Sequence, residues 1–232
     1  MVATGMNDWQ IFETRTELDD ALAGHLAAAL SADLTRQPRS SIALSGGSTP
    51  KGMFQRLSAA DLEWPRVDIT LVDERWVDYG HPDSNAELVR NCLLQGPAAS
   101  ARFLGLKTTT PDITAAVPAV TEALAKLQRP FTAVVLGMGG DGHTASWFPQ
   151  ASNLPELLDP NNAVRVAATD PVTAPHLRMT LTLAAVLDSH RIHLHITGDD
   201  KRTVLESAVA AGYPVASILT QTVTPVTIWW AP

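Results

Sequence analysis

Cysteine is nearly absent from this chain of 232 residues: Cys92 is the only one. That excludes an internal disulfide framework and suits a reducing compartment. Long apolar runs are missing as well. No stretch reaches the roughly 18 apolar residues of a membrane-spanning helix. The opening MVATGMNDWQIF carries neither the basic segment nor the apolar core of a signal peptide. The expectation is a cytoplasmic protein with no membrane partner. Positive charge is in deficit, with 17 Lys and Arg against 24 Asp and Glu for a formal charge of −7, and no Lys/Arg-rich run offsets it. A general nucleic-acid surface is therefore excluded, whereas an anionic small molecule needs only a few local cations.

What is present is the make-up of an ordinary globular chain, 45% hydrophobic and 18% charged. The length fits one large α/β domain with a substantial core. No internal repeat, low-complexity tract or linker divides it, so residues 1–232 are read as a single domain. Apolar segments at Trp9–Phe12, Ser41–Leu44, Val67–Val72, Phe131–Leu136, Val164–Ala168, Met179–Leu183, Arg191–Ile196 and Val226–Trp230 read as strands, with a minor one at Arg102–Leu104. Helical patterns cover Asp19–Leu34, with Leu22, Leu26 and Leu30 on one face, then Asn85–Leu94, Thr114–Leu127 and Asp200–Ala210. A further helix is expected to start with Thr49 as N-cap and Pro50 in its first position. Cys92 falls in a helical pattern and reads as a buried structural thiol. Strands alternating with helices at this spacing predict a mostly parallel sheet covered on both faces.

In such a fold ligands bind outside the carboxyl ends of the strands. Four polar clusters follow strands: Ser45–Thr49, Asp73–Arg75, Gly137–His143 and Gly198–Lys201. Ser45-Gly46-Gly47-Ser48-Thr49 is either a phosphate cradle of backbone N–H groups and hydroxyls or a plain helix start. Asp73-Glu74-Arg75 offers a guanidinium fork beside two acids, or is a solvated turn held by an ion pair. Asp141-Gly142-His143 is the sharpest of the four. Residues two apart do not meet on a helix, so this pair cooperates only in a turn, which the glycines permit. Asp141 can then fix the tautomer of His143, leaving the other ring nitrogen to take a proton from water. The competing reading is a helix cap with an exposed histidine.

Gly137-Met138-Gly139-Gly140-Asp141-Gly142 also fits the dinucleotide fingerprint letter for letter. That reading is rejected. Pro149 interrupts any following helix, and no strand with a ribose-binding acid follows. His193 and His195 share a strand face; two such histidines can ligate a metal, but with no third ligand evident they read as sheet packing. His176 falls in a proline-flanked loop and His190 just before a strand. Arg178 and Lys201, next to strand ends, are either cations for an anionic ligand or surface charges. Trp229 and Trp230 read as packing of a last strand.

Together these pieces resemble the 6-phosphogluconolactonase family, which shares a fold with the glucosamine-6-phosphate deaminases and isomerases. The matching stretches are Leu44–Pro50, Asp73-Glu74-Arg75-Trp76-Val77, Ser84-Asn85, Gly137–Pro149, Arg178-Met179-Thr180-Leu181-Thr182 and Gly198-Asp199-Asp200-Lys201. Deaminases resemble Asp-Gly-His-Ile-Ala-Phe-Asn-Glu-Pro in the central block. This chain has Phe148 where they carry the glutamate, and Ser146-Trp147-Phe148-Pro149 looks like the lactonase version. The resemblance implies a three-layer α/β fold with a mostly parallel central sheet and helices on both faces, a deaminase/isomerase-like variant of the Rossmann fold. It implies hydrolysis of 6-phosphoglucono-1,5-lactone with no metal or organic cofactor, by a monomer or weak homodimer. His143 and Asp141 would be catalytic. Ser45, Gly46, Gly47, Ser48, Thr49, Asp73, Arg75, Asn85, Gly139, Gly140, Arg178 and Lys201 would bind substrate. The alternatives are a glucosamine-6-phosphate deaminase or isomerase and a non-catalytic sugar-phosphate sensor.

Overall fold

The computed structural model describes residues 7–232. In chain order it runs β1 (Asp8–Ile11), α1 (Arg15–Leu34), β2 (Ser40–Leu44), α2 (Lys51–Ser58), β3 (Val67–Leu71), β4 (Asp73–Arg75), α3 (Asn85–Cys92), β5 (Arg102–Leu104) and α4 (Ile113–Leu124). It continues with β6 (Ala133–Leu136), α5 (Leu154–Leu157), β7 (Val166–Thr169), β8 (Arg178–Leu181), α6 (Leu183–Leu187), β9 (Ile192–Thr197), α7 (Asp199–Ala211), α8 (Ala216–Thr220) and β10 (Val226–Ala231).

Seven strands form one sheet in the order β1-β10-β9-β6-β2-β3-β5, with every neighbouring pair parallel. β2, β3 and β6 are buried at every position, as expected for central parallel strands covered by helices. From β2 the chain passes to β3 on one side, while β6 on the other side leads on to β9 and β10. Connections therefore leave in opposite directions at the β6/β2 boundary, where a crevice opens beyond the carboxyl ends of the strands.

Helix α1 begins earlier than its leucine spacing suggests, because Thr14 and Glu17 form a capping box there. Leu22, Leu26 and Leu30 are fully buried on its inner face. One expectation is corrected and one alternative is removed. Thr49 does not cap α2: Pro50 is the N-cap residue, with no side-chain cap of its own, and the Asp19 carboxylate of α1 lies against this first turn at Gly52. A side chain at Gly52 would overlap the Asp19 carboxylate, so that approach requires glycine. Asp73–Arg75 is a strand, not a solvated turn. The chain bends at Val72 and leaves the parallel sheet to join a second, antiparallel sheet in the order β4-β8-β7. Cys92 is half-buried at the end of α3.

His193 and His195 face α1 from β9. His193 is fully buried against His25, ring centroids 5.0 Å apart, and its Nδ1 accepts from Trp229 Nε1 at 3.0 Å. His195 is buried within ion-pair distance of Asp19, 3.6 Å from Nε2 to Oδ1. Burial away from water pushes the two imidazoles down from 6.5, to about 3 for His193 and about 4 for His195. The unfolded chain takes up these protons below pH 6.5, whereas the folded chain does not until far lower pH. Their contribution to stability is complete above that value and is lost as the pH falls from 6.5 toward 4. Each group should cost about 1.4 kcal/mol per pH unit across that window. Urea midpoints at pH 7 and pH 5 should show it, with a shallower slope for His195→Leu; an unchanged slope in the variant contradicts the assignment.

Candidate active site

All four strand-end clusters meet in the crevice, around a cavity of about 260 Å³. Ser45, Gly46, Gly47, Ser48 and Thr49 form one wall; Asp73, Arg75 and Asn85 form the second. Gly137, Gly139 and His143 form the third, and Lys201 closes the fourth from the first turn of α7. The two central loops are bonded across the switch point, where Ser45 Oγ accepts the Gly137 N–H at 3.0 Å. Glycine at position 46 is required by proximity, since a Cβ there would overlap the Asn85 side-chain oxygen.

The segment after β6 is a turn, with no helix before α5, which removes the dinucleotide reading. Gly142 N–H donates to Gly139 O at 3.2 Å and Gly139 N–H to His143 O at 2.8 Å, closing the loop on itself. Gly142 has φ +73°, a left-handed conformation that favours glycine. The turn brings Asp141 Oδ1 to 2.5 Å from His143 Nδ1, and the same oxygen accepts the His143 N–H at 3.2 Å. With Nδ1 donating to the carboxylate, Nε2 is the ring's remaining acceptor. Partial burial alone would raise the Asp141 carboxyl, but the charge and hydrogen bonds of His143 outweigh it and hold it below its usual range. The imidazole stacks on Phe148, ring centroids 4.1 Å apart, and a Cβ on Gly139 would strike the imidazole ring. The ring is thus fixed on two sides.

Asp73-Glu74-Arg75 divides into three jobs. Glu74 is fully buried and accepts the N–H groups of Arg75, Asn85 and Ala86 at 2.8, 2.7 and 2.8 Å, plus the Ser84 hydroxyl at 3.1 Å. It fills the N-terminus of α3, whose first N–H groups otherwise lack acceptors. Burial pushes its carboxyl up, against the lowering effect of those hydrogen bonds. Asp73 accepts from Ser146 Oγ at 2.6 Å and so ties β4 to the histidine loop. Arg75 donates to the Asp83 carbonyl at 2.6 Å and to Asn85 Oδ1 at 2.9 Å, while its buried Nε has no partner among the described residues.

Not every expected residue reaches the cavity wall. Gly140 and Asp141 are exposed and do not line it, and Asp141 meets the cavity through His143. Arg178 does not line the cavity either: it is buried opposite Arg75 in the antiparallel sheet, and its guanidinium carbon lies 5.7 Å from the centre of the Phe148 ring. Conversely, His195 lines the cavity, although its sequence context suggested sheet packing alone. The available signal was its place two residues before the carboxyl end of a strand, where side chains approach the crevice. Ser146 and Phe148 also serve the site by anchoring and stacking, roles that depend on partners distant in sequence. Lys201 is partly buried and lines the cavity, and desolvation pulls its pKa down against the raising effect of Asp141.

Residues 13–229 match the family described as glucosamine-6-phosphate isomerases/6-phosphogluconolactonase. The chain belongs to that family. Among its curated relatives, the 6-phosphogluconolactonase of Mesorhizobium japonicum is 43% identical over 227 residues, covering 97% of this chain and 95% of the relative. That of Rhizobium meliloti is 40% identical, covering 96% and 97%. A crystal structure of a 6-phosphogluconolactonase from Shewanella baltica superimposes with a TM-score of 0.95 at 40% identity, over 99% of both chains. The glucosamine-6-phosphate isomerase/6-phosphogluconolactonase fold thus extends over the whole described chain.

Glu74 gives the site its first test. Glu74→Leu removes the acceptor for three backbone N–H groups and a hydroxyl in a dry environment, and should lower stability by about 3 kcal/mol or more in urea unfolding. A loss within experimental error would mean that the α3 N-terminus does not depend on this carboxylate.

Proposed function

We propose that this chain hydrolyses 6-phospho-D-glucono-1,5-lactone to 6-phospho-D-gluconate in the oxidative pentose phosphate pathway, as a single-domain cytoplasmic enzyme, monomeric or weakly dimeric. The observation that carries the reading is the Asp141–His143 pair, 2.5 Å apart, held at the wall of a cavity between strand ends. The whole-length similarity to 6-phosphogluconolactonases supports the substrate class.

In this reading His143 Nε2 takes a proton from water as the water oxygen attacks the lactone carbonyl C1. The tetrahedral intermediate collapses with cleavage of the bond between C1 and the ring oxygen, and the imidazolium returns its proton to that oxygen. One water is consumed, and the carboxylic acid so formed releases its proton to solvent to give the carboxylate of the open-chain product. Asp141 holds the tautomer and stabilises the transient imidazolium. Arg75, or a backbone N–H of the glycine turns that is not already bonded within the loops, stabilises the oxyanion. The Ser45–Thr49 turn, Asn85 and Lys201 hold the sugar phosphate, so that remote binding orients the carbonyl against the water. Arg178 contributes its field and its contact with Phe148 in place of a direct ligand bond. The chemistry needs only water and a base, with no cofactor in the bond-breaking step.

Phe148 bears on the neighbouring reaction. It occupies the place where the deaminase pattern carries a ring-opening glutamate, and here it packs flat against His143. Glucosamine 6-phosphate should therefore release no ammonia with this protein.

His143→Ala, assayed on freshly prepared lactone and corrected for spontaneous hydrolysis, should lose roughly 10²–10⁴-fold in kcat. Near-wild-type turnover would remove His143 from the mechanism. Binding of phosphogluconate without turnover of lactone by the wild-type protein would instead identify a sensor. Lys201→Ala should raise KM by about tenfold or more while leaving kcat within a few-fold, because a charge-assisted contact to a distant phosphate acts on ground and transition states alike. A collapse of kcat at constant KM would move Lys201 into the reacting centre.

A further inference from the structure

We propose that His81, Asp83 and His176 form a binding site for a divalent first-row transition ion, Zn²⁺ foremost, on the outer rim of the active-site crevice. The residues come from two distant segments, one between β4 and α3 and the other between β7 and β8. Their ligand atoms all lie within 4.8 Å of one another. His176 Nε2 is 3.1 Å from Asp83 Oδ2, His81 Nδ1 is 3.9 Å from the same oxygen, and the two imidazoles meet edge-on with centroids 5.4 Å apart. Ligand atoms around a tetrahedral zinc with bonds of about 2.0–2.2 Å sit roughly 3.3–3.6 Å from each other. Small side-chain rotations bring the three donors to that spacing.

The chemistry of the set favours zinc. Two neutral imidazoles and one carboxylate are borderline donors, suited to Zn²⁺ and poorly suited to Mg²⁺ or Ca²⁺, which prefer oxygen. The side chains are 38%, 53% and 29% exposed for His81, Asp83 and His176, so an ion can enter and water can complete its coordination. An ion pair alone would account for His176 on Asp83. It leaves unexplained why a second imidazole turns to the same carboxylate, with its Nδ1 now accepting the Asp83 N–H at 3.1 Å. On binding, that lone pair would exchange the N–H for the metal.

The ion would act as a clamp. The Asp83 carbonyl receives Arg75, and Ser84 and Asn85 donate to Glu74, so this segment carries one wall of the crevice. The His176 segment leads into Arg178 on β8. Joining the two ties the outer edge of the crevice together without contributing to proton transfer. The proposal is independent of the lactonase reading and is tested without any sugar phosphate.

Tag-free, chelator-stripped protein is titrated with Zn²⁺ by calorimetry and with Co²⁺ by visible absorption. The wild-type chain should bind one equivalent and give tetrahedral Co²⁺ bands. His81→Ala, His176→Ala and Asp83→Asn should each weaken Zn²⁺ binding at least about tenfold and abolish the bands. His190→Ala, at an exposed histidine outside the cluster, should change neither. All the altered side chains are at least partly exposed, and circular dichroism checks that each variant folds. Zn²⁺ should also slow amide exchange in residues 78–84 and 170–177 of the wild type. Absent binding, or binding that survives all three cluster variants, overturns the site; binding without slowed exchange overturns the clamp.

Discussion

Two adjacent buried carboxylates, Asp73 and Glu74, are the constraint on which this site is built. Glu74 is fully enclosed and Asp73 all but enclosed at the cavity wall, so each loses most of its hydration and the two repel each other. They are tolerable only because donors from two other segments converge on them. Glu74 takes the start of α3, and Asp73 takes Ser146 beyond the histidine loop and Asn85 on α3. Satisfying the acids therefore fixes the spacing between β4, α3 and the loop that carries His143. Arg75, the next residue, inherits that frame and is held by Asp83 and Asn85. Thus a hydrogen-bonding requirement of the fold becomes the positional precision of the crevice.

A second layer of the design is electrostatic. The chain is acidic overall, with a formal charge of −7, yet the cavity wall carries Arg75 and Lys201, and Arg178 lies directly opposite Arg75 in the antiparallel sheet. Two guanidinium groups side by side are unfavourable without a counter-charge. Arg75 Nε and Arg178 Nε are both buried without a partner among the described residues. Desolvation and the neighbouring Arg75 together push the Arg178 guanidinium below its usual range. A bound anion relieves this cost, and a concentrated positive field in an acidic protein attracts one.

Much of this was legible from residue order because it rests on local signals. Apolar runs ending in glycine located β2, β6 and β9 and their loops, and the Asp141/His143 spacing demanded a turn, which the glycines supply. What was hidden depends on tertiary partners. Asp, Glu and Arg have low strand propensity, so the antiparallel β4 could not be seen without its partner β8. Thr49 before Pro50 had the form of a cap, but Pro50 itself takes the N-cap position and Asp19 of α1 packs against the first turn. The alternation of β9 put His193 and His195 on one face, but only the depth of the crevice distinguishes the core residue from the cavity-lining one. Arg178 had the residue type of a ligand, and its place opposite Arg75, buried and off the cavity lining, depends on a strand pairing that residue order does not show.

The central claim is that His143 Nε2 faces the reacting carbon of a sugar-phosphate lactone. The most direct measurement is a crystal structure of the protein with the hydrolysis product, 6-phosphogluconate. The account predicts the C1 carboxylate within hydrogen-bond distance of His143 Nε2, with the phosphate held by the cations of the crevice. A product bound in the crevice with its carboxylate turned away from His143 would contradict it.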